Sequence, residues 1–179
     1  MRIRRLLFAL ALASMGVPSL LSATPPKGFE TDHLVLYQPD PVLRERVPGT
    51  SALADYIKRL QAVCTAYFAT TATPETLHVI VALKPGKQSR VWFVSSTHAP
   101  DDKAREPLRA KLEAVTPLEV RSGPVAFAIS GKIAGGDGKD GDEHQPPMPK
   151  EWQEAAKSAK DPLLVIPDGI LKLIWPDSK

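Results

Sequence analysis

The clearest pattern in the chain is an alternation of apolar and polar side chains around a Pro-Gly pair, in the stretch LHVIVALKPGKQSRVWFVSS from Leu77 to Ser96. Proline presets φ and glycine accepts a positive φ, so Pro85 and Gly86 suit a type II turn between two strands. The stretch therefore predicts a β-hairpin. One of its faces is wholly apolar and the other is mixed, which indicates that both faces are at least partly covered.

A helical pattern precedes the hairpin. Apolar side chains recur at three- and four-residue spacing from Leu53 to Phe68, which predicts an amphipathic helix of about five turns. We expect Thr50 or Ser51 to cap its start, because a hydroxyl there accepts a bond from a backbone N–H. The apolar stripe includes Cys64, the only cysteine, which predicts a buried thiol and excludes an internal disulfide. An intermolecular disulfide is the alternative.

A second helix and a third strand follow the hairpin. The apolar stripe of this helix consists of Leu108, Leu112 and Val115. Pro107 fits only in its first turn, where a missing N–H has little consequence, and Pro117 ends it. The stretch GPVAFAIS (123–130) alternates bulky and small side chains, which predicts a strand with one bulky face.

This order of elements predicts an α+β domain. Its core, residues 51–133, is expected to be a three-stranded antiparallel sheet packed by two helices in the order αββαβ. Residues 24–50 are predicted to be a leader and connector, within which HLVLY (33–37) suits a short strand. Residues 134–149 are rich in Gly, Asp and Pro and predict a flexible loop.

The C-terminal part, residues 150–179, predicts an appendage of one helix and one β-hairpin that packs on the core. The helix corresponds to KEWQEAAKSAK, and the hairpin to LLVIPDGILKLIW around Pro167, Asp168 and Gly169.

The N-terminus is typical of a secretory signal peptide. Residues 1–23 combine three arginines, an apolar run and small residues before a cleavage point expected after Ala23. An uncleaved membrane anchor is the alternative. The chain has 23 Lys and Arg against 20 Asp and Glu, and removing three arginines leaves 20 of each. We therefore expect a periplasmic or secreted protein without a basic surface for nucleic acid and without a later transmembrane segment.

No motif predicts catalysis, a metal or a cofactor. The histidines His33, His78, His98 and His144 lack metal-ligand spacing, and His78 lies on the mixed face of a strand, where a structural role is favoured. The acidic stretch DGKDGDEH (137–144) misses the spacing of a calcium loop. Neither a nucleophile elbow nor a P-loop is present. We therefore expect a non-enzymatic protein.

The mixed face of the hairpin predicts where a partner binds. It needs either the C-terminal hairpin or a protein partner as a lid, because a bare patch of this kind is unusual on a soluble monomer. The predicted partner-binding residues are Ile80, Trp92 and Val94 on this face and Val125, Phe127 and Ile129 on the third strand. A small-ligand-binding or accessory protein is the alternative, and a hydrolase with a site assembled from distant residues is a further one.

The order of elements over residues 51–130 resembles the C-terminal domains of TonB and TolA, periplasmic modules of cell-envelope energy transducers. The resemblance covers YIKRLQAVCTAYF, the hairpin with Ser95 and Ser96 at its end, REPLRAKLEAV, and the strand PVAFAIS. It implies a protein-binding module of the cell envelope whose last strand, residues 125–129, offers its edge to a partner peptide. Pro124 would blunt one end of that edge. The long spacer and anchor of those proteins have no counterpart here, so energy transduction is not implied.

Overall fold

In the computed structural model, residues 28–96, 103–137, 148–158 and 167–176 are described, and they form one antiparallel sheet with helices on both faces. The strands are β1 (Phe29–Leu36), β2 (Glu75–Lys84), β3 (Gln88–Ser95) and β4 (Val125–Ile133). The helices are α1 (Asp40–Arg46), α2 (Thr50–Tyr67), α3 (Glu106–Glu113), α4 (Lys150–Ser158) and α5 (Pro167–Ile174), and a 3₁₀ turn, Lys103–Arg105, leads into α3. The predicted α+β class is confirmed.

The sheet has four strands in the order β1-β4-β2-β3, not the three that the pattern predicts. The additional strand, β1, contains residues 33–36 of the predicted 33–37 strand and pairs with β4 from Phe29 to Leu36, for example Leu36 with Phe127. β4 is buried on both faces, and its backbone groups need partners on both sides, which β1 and β2 supply. The predicted strand edge at 125–129 is therefore inside the sheet.

Two helix predictions need correction near the N-terminus. The predicted connector contains α1, in which Pro41 lies in the first turn, where proline is compatible with a helix. The start of α2 has Gly49 as its N-cap and no side-chain capping bond, so the hydroxyls of Thr50 and Ser51 lie inside the helix and do not cap it.

The hairpin forms as predicted. β2 pairs with β3 in the register Ile80 to Trp92, and Gly86 in the connecting turn has a φ of +82°. Its wholly apolar face packs with β4, α2 and α3 in a first core. Cys64 is buried there, as predicted, and burial raises the pKa of its thiol to about 12.

The mixed face of the sheet forms a second core with α4 and α5. The predicted C-terminal helix is confirmed, but the predicted hairpin is wrong over its described half, because residues 167–174 are helical. Pro167 and Asp168 form the first turn of α5, where proline and an acidic side chain are both favoured. The predicted signal peptide, the other predicted strand of that hairpin and most of the predicted 134–149 loop lie outside the described residues.

Candidate functional site

The six predicted partner-binding residues do not form one surface. Ile80 and Trp92 lie beneath α4 and α5, where Trp92 is 6% exposed, and the neighbouring Val94 is half-buried. The remaining three lie on the opposite face in the first core and are fully buried; they are Val125, Phe127 and Ile129. The C-terminal segment, one of the two lids predicted for the mixed face, covers it as the helices α4 and α5. The predicted open edge of the last strand is paired with β1.

Two strands, β1 and β3, form the free edges of the sheet. An edge strand has backbone N–H and C=O groups that no neighbouring strand satisfies, so it is the natural position for an added strand. The β3 edge is flanked by helices on both sides of the sheet: α3 packs on one face beside it, and α4 packs on the other.

A groove of about 480 Å³ runs along the β3 edge. It is lined from β3 by Arg90 and Trp92, from α3 by Arg109 and Glu113, from α4 by Glu151, and after α5 by Trp175. An adjoining depression of about 310 Å³ shares three of these residues, Trp92, Arg109 and Glu151, and extends to Lys150 and Glu154. We call the two together the β3 groove.

The wall on the α4 side is held by a network around Glu151. Trp92 donates from Nε1 to Glu151 at 2.6 Å, and the Arg90 guanidinium donates to the same carboxylate at 3.2 Å. Arg90 also donates to the carbonyl of Ile174 at 2.8 Å and lies over the Trp92 ring, 5.1 Å from its centroid. This network joins β3 to both C-terminal helices and fixes the tryptophan in place.

The wall on the α3 side presents a cation and a carboxylate to the strand. Arg109 lies 5.6 Å from the centroid of the Phe93 ring and forms an ion pair with Glu106. Its Nε is buried without a hydrogen-bond partner. Glu113 accepts a hydrogen bond of 2.9 Å from the backbone N–H of Val91. The carboxylate therefore occupies the position that a carbonyl of a neighbouring strand would take.

No pattern in the sequence marks the groove residues Arg90, Arg109, Glu113 and Glu151 as site residues. Arg90 is the one among them whose position is unusual in the sequence, because it is a charged side chain on a strand face that is otherwise largely apolar. Arg109 and Glu113 belong to a run of alternating charges, which is typical of a solvated helix face. Only the packing of α3 and α4 beside β3 brings these side chains together.

One pair of side chains bears on the hydrolase alternative. His78 Nδ1 and Ser130 Oγ lie 2.7 Å apart across β2 and β4. Ser130 is only 1% exposed, so its hydroxyl lies out of reach of a substrate. No group of three or more potential ligands in the described ranges is placed to hold a metal ion. His98 and His144 lie outside those ranges.

Within the described part of the chain, no helix combines the length and apolar character needed to cross a bilayer. No family model, curated protein or solved structure matches the chain. The order α2-β2-β3-α3-β4 is the order on which the TonB and TolA resemblance depends, and that resemblance stays a prediction.

Proposed function

We propose that this protein is an exported, non-catalytic protein-binding module of the cell envelope, similar in its αββαβ order to the C-terminal domains of TonB and TolA. In this proposal the β3 groove holds an extended segment of a partner protein as an added strand. The observation that carries it is that the groove follows a free edge strand, with walls on both faces of the sheet.

The hydrogen bonds of β3 support strand addition. The N–H of Ser96, directly after β3, bonds inward to Thr76 O of β2, whereas the N–H of Val91 points outward to Glu113. Because the pattern alternates along an antiparallel strand, Phe93 also directs its backbone groups outward. A partner strand would bond to these groups, and its side chains would lie alternately against the α3 wall and the α4 wall.

The side chains of the groove are of the types that dominate binding energies. Tryptophan and arginine are enriched among interface residues whose truncation weakens binding most, and the groove offers two of each: Trp92, Trp175, Arg90 and Arg109. A partner strand must displace Glu113 from Val91, so we expect the partner to offer a new donor to that carboxylate. Lysine or arginine in the partner segment would serve this purpose.

The decisive experiment is a crosslinked capture from an envelope extract with tagged residues 24–179 as bait. The informative variant is Ser89→Pro. Ser89 lines the groove and is only half-buried, and alternation from Val91 directs its N–H outward, so the change removes a donor from the edge but no bond to β2. Trp92→Ala is unsuitable, because truncating a buried tryptophan would destabilise the fold.

The matched control is Leu34→Pro, which makes the same change on the opposite free edge, and thermal unfolding of both variants accompanies the capture. The proposal predicts that one identified envelope protein is lost with Ser89→Pro and kept with Leu34→Pro. Equal capture by both folded variants would contradict it.

A second candidate function is the binding of a small ligand in the same groove. It is favoured by the coverage of Trp92, which leaves no flat patch around this side chain, and by a groove volume within the usual range of ligand sites. A thermal-shift screen of small molecules tests it. A hit whose shift disappears in Arg109→Gln, with no protein captured, would favour this function over strand addition.

A further inference from the structure

The opposite edge of the sheet is protected over only half of its length. In the N-terminal half of β1 the register shifts between Thr31 and His33, which leaves Asp32 as an extra residue, and Glu30 and Asp32 place carboxylates there. A bulge and charged side chains are the usual protection of an edge strand against unwanted pairing. The C-terminal half, from His33 to Leu36, has a regular register and neither protection.

Leu34 and Leu36 occupy this unprotected half. They are 42% and 41% exposed, and only one other large apolar side chain in the described ranges, Leu173, is as exposed. The N–H of Tyr37 bonds inward to Ala126 O, so alternation directs the backbone groups of Leu34 and Leu36 outward. The same two residues therefore present both apolar side chains and backbone groups without a neighbouring strand.

We propose that a second copy of this chain pairs with this half of β1, antiparallel, about a twofold axis at Val35. In this register Leu34 of each copy faces Leu36 of the other. Their outward N–H and C=O groups form four hydrogen bonds, and the four leucine side chains meet on one face. On the other face His33 lies opposite Tyr37 of the second copy. The result is a continuous sheet of eight strands.

Self-complementarity and charge favour a second copy over another partner. An antiparallel pair about a twofold axis needs equivalent groups on both sides of the axis, and Leu34 and Leu36 provide them around Val35. This register also keeps Asp32 of one copy distant from Asp32 of the other, whereas a pairing centred on Asp32 would oppose two like charges. The chain has a formal net charge of only +3, and of zero without residues 1–23, so long-range repulsion between copies is small.

The pairing involves about five residues of each copy, so it buries less area than the roughly 1,200 Å² of a stable interface. We therefore expect a weak dimer in the micromolar range. β3 is the opposite edge of each sheet and stays free, so the dimer presents one β3 groove at each end.

Sedimentation velocity of residues 24–179, from about 1 µM to about 200 µM, tests the dimer over the range in which it should form. The wild type is expected to change from monomer to dimer with rising concentration. The variant L34K/L36K is expected to stay monomeric, because it opposes lysines across the axis. The control is L173K, which changes an equally exposed leucine on α5 and should dimerise as the wild type does. A monomeric wild type at the highest concentration, or unchanged dimerisation of L34K/L36K, overturns the proposal.

Cysteine crosslinking tests the register. Val35 and its copy form a non-hydrogen-bonded pair with Cα atoms about 4.5 Å apart, within the reach of a disulfide. Val35→Cys should therefore form a covalent dimer under mild oxidation. Thr31→Cys should not, because its copy lies far along the strand. The native Cys64 is buried and gives little background. Equal crosslinking of the two variants, or of neither, overturns the twofold axis at Val35.

Discussion

The two free edges of the sheet differ in what lies beside them. Along β3 the outward N–H of Val91 is occupied by Glu113, and ion pairs line both walls of the groove. Along the second half of β1 two leucines are exposed, and the strand has a regular register with β4 and no bulge between His33 and Leu36. A polar, protected edge favours a partner with complementary charges, whereas a bare apolar edge favours weak pairing with a second copy, whose equivalent side chains and backbone groups meet it there.

One buried side chain supports both edges, and its removal should have the largest effect. Trp152 of α4 lies 5.4 Å from the ring of Trp92 on β3 and 5.4 Å from the ring of Tyr37 after β1. We expect Trp152→Ala to lower the free energy of unfolding by about 3–5 kcal/mol, because it leaves a cavity beneath α4. Denaturant unfolding measures this loss. A loss below about 1 kcal/mol would show that α4 does not brace the sheet.

The next effect concerns how the C-terminal helices are anchored on the β1 side. Arg46 binds Asp168 of α5 at 2.6 Å and the carbonyl of Pro124 at 2.7 Å, in a largely buried position. Arg46→Ala is expected to lower the free energy of unfolding by about 1–3 kcal/mol, because it leaves a partly buried carboxylate without its main donor. The comparison is Arg90→Ala on the β3 side. Its ion pair with Glu151 is more exposed and worth less than about 1 kcal/mol.

The same anchor predicts a pH dependence. Burial alone would raise the pKa of Asp168, but hydrogen bonds from Arg46 and Gln38 and the charges of Arg46 and Lys172 outweigh it, so the pKa lies below its usual 3.8. A carboxyl with a lowered folded-state pKa stabilises the protein at pH values above its unfolded-state pKa, near 4. This stabilisation is lost as the pH falls through the folded-state pKa. Unfolding midpoints between pH 6 and pH 3 should therefore fall less steeply for Asp168→Asn than for the wild type.

A change at Glu113 should affect stability less, but it tests directly why the β3 edge is protected and the β1 edge is not. Glu113→Ala removes the acceptor from Val91 and makes β3 resemble the bare half of β1. We expect a loss of about 1 kcal/mol in the free energy of unfolding, together with new self-association through β3. Sedimentation of Glu113→Ala in the L34K/L36K background measures this association with the β1 edge blocked. A monomer in that background would show that Glu113 is not needed to protect the strand.

The smallest effect is expected on the bare edge itself. Leu34→Lys should change the free energy of unfolding of the monomer by no more than about 0.5 kcal/mol, because the side chain is exposed. Denaturant unfolding at low protein concentration, where the monomer dominates, measures it. A larger loss in the free energy of unfolding would mean that Leu34 packs within its own chain, which would contradict its role in pairing with a second copy.

The sequence was informative where structure is local and misleading where packing decides. The hairpin at Pro85 and Gly86 and the buried position of Cys64 follow from short-range patterns, and both are confirmed. The length of β1 and its place in the sheet were not predicted, because its partner strand, β4, lies far along the chain. Pro167 suggested a turn because proline and glycine occur together there, yet the same residues suit the first turn of a helix.

The candidate site was predictable only in part. Trp92 was identified from its strand, but as an exposed anchor, and it forms part of a groove wall beneath a helix. Glu113 and Glu151 come from two helices on opposite faces of the sheet, and no spacing in the sequence relates them to β3. Leu34 and Leu36 alternate with half-buried neighbours, so their exposure follows only from the position of β1 at the edge.

The most direct measurement is residue-resolved amide hydrogen exchange at Leu34, Leu36, Val91 and Phe93, with and without the captured envelope partner. In the protein alone at high concentration, we predict slowed exchange at Leu34 and Leu36 from pairing with a second copy, and rapid exchange at Phe93. Adding the partner should slow exchange at Phe93 and Val91 and leave the two leucines unchanged. Protection of Leu34 and Leu36 by the partner, with β3 unaffected, would contradict the assignment of the β3 groove as the site for partner proteins.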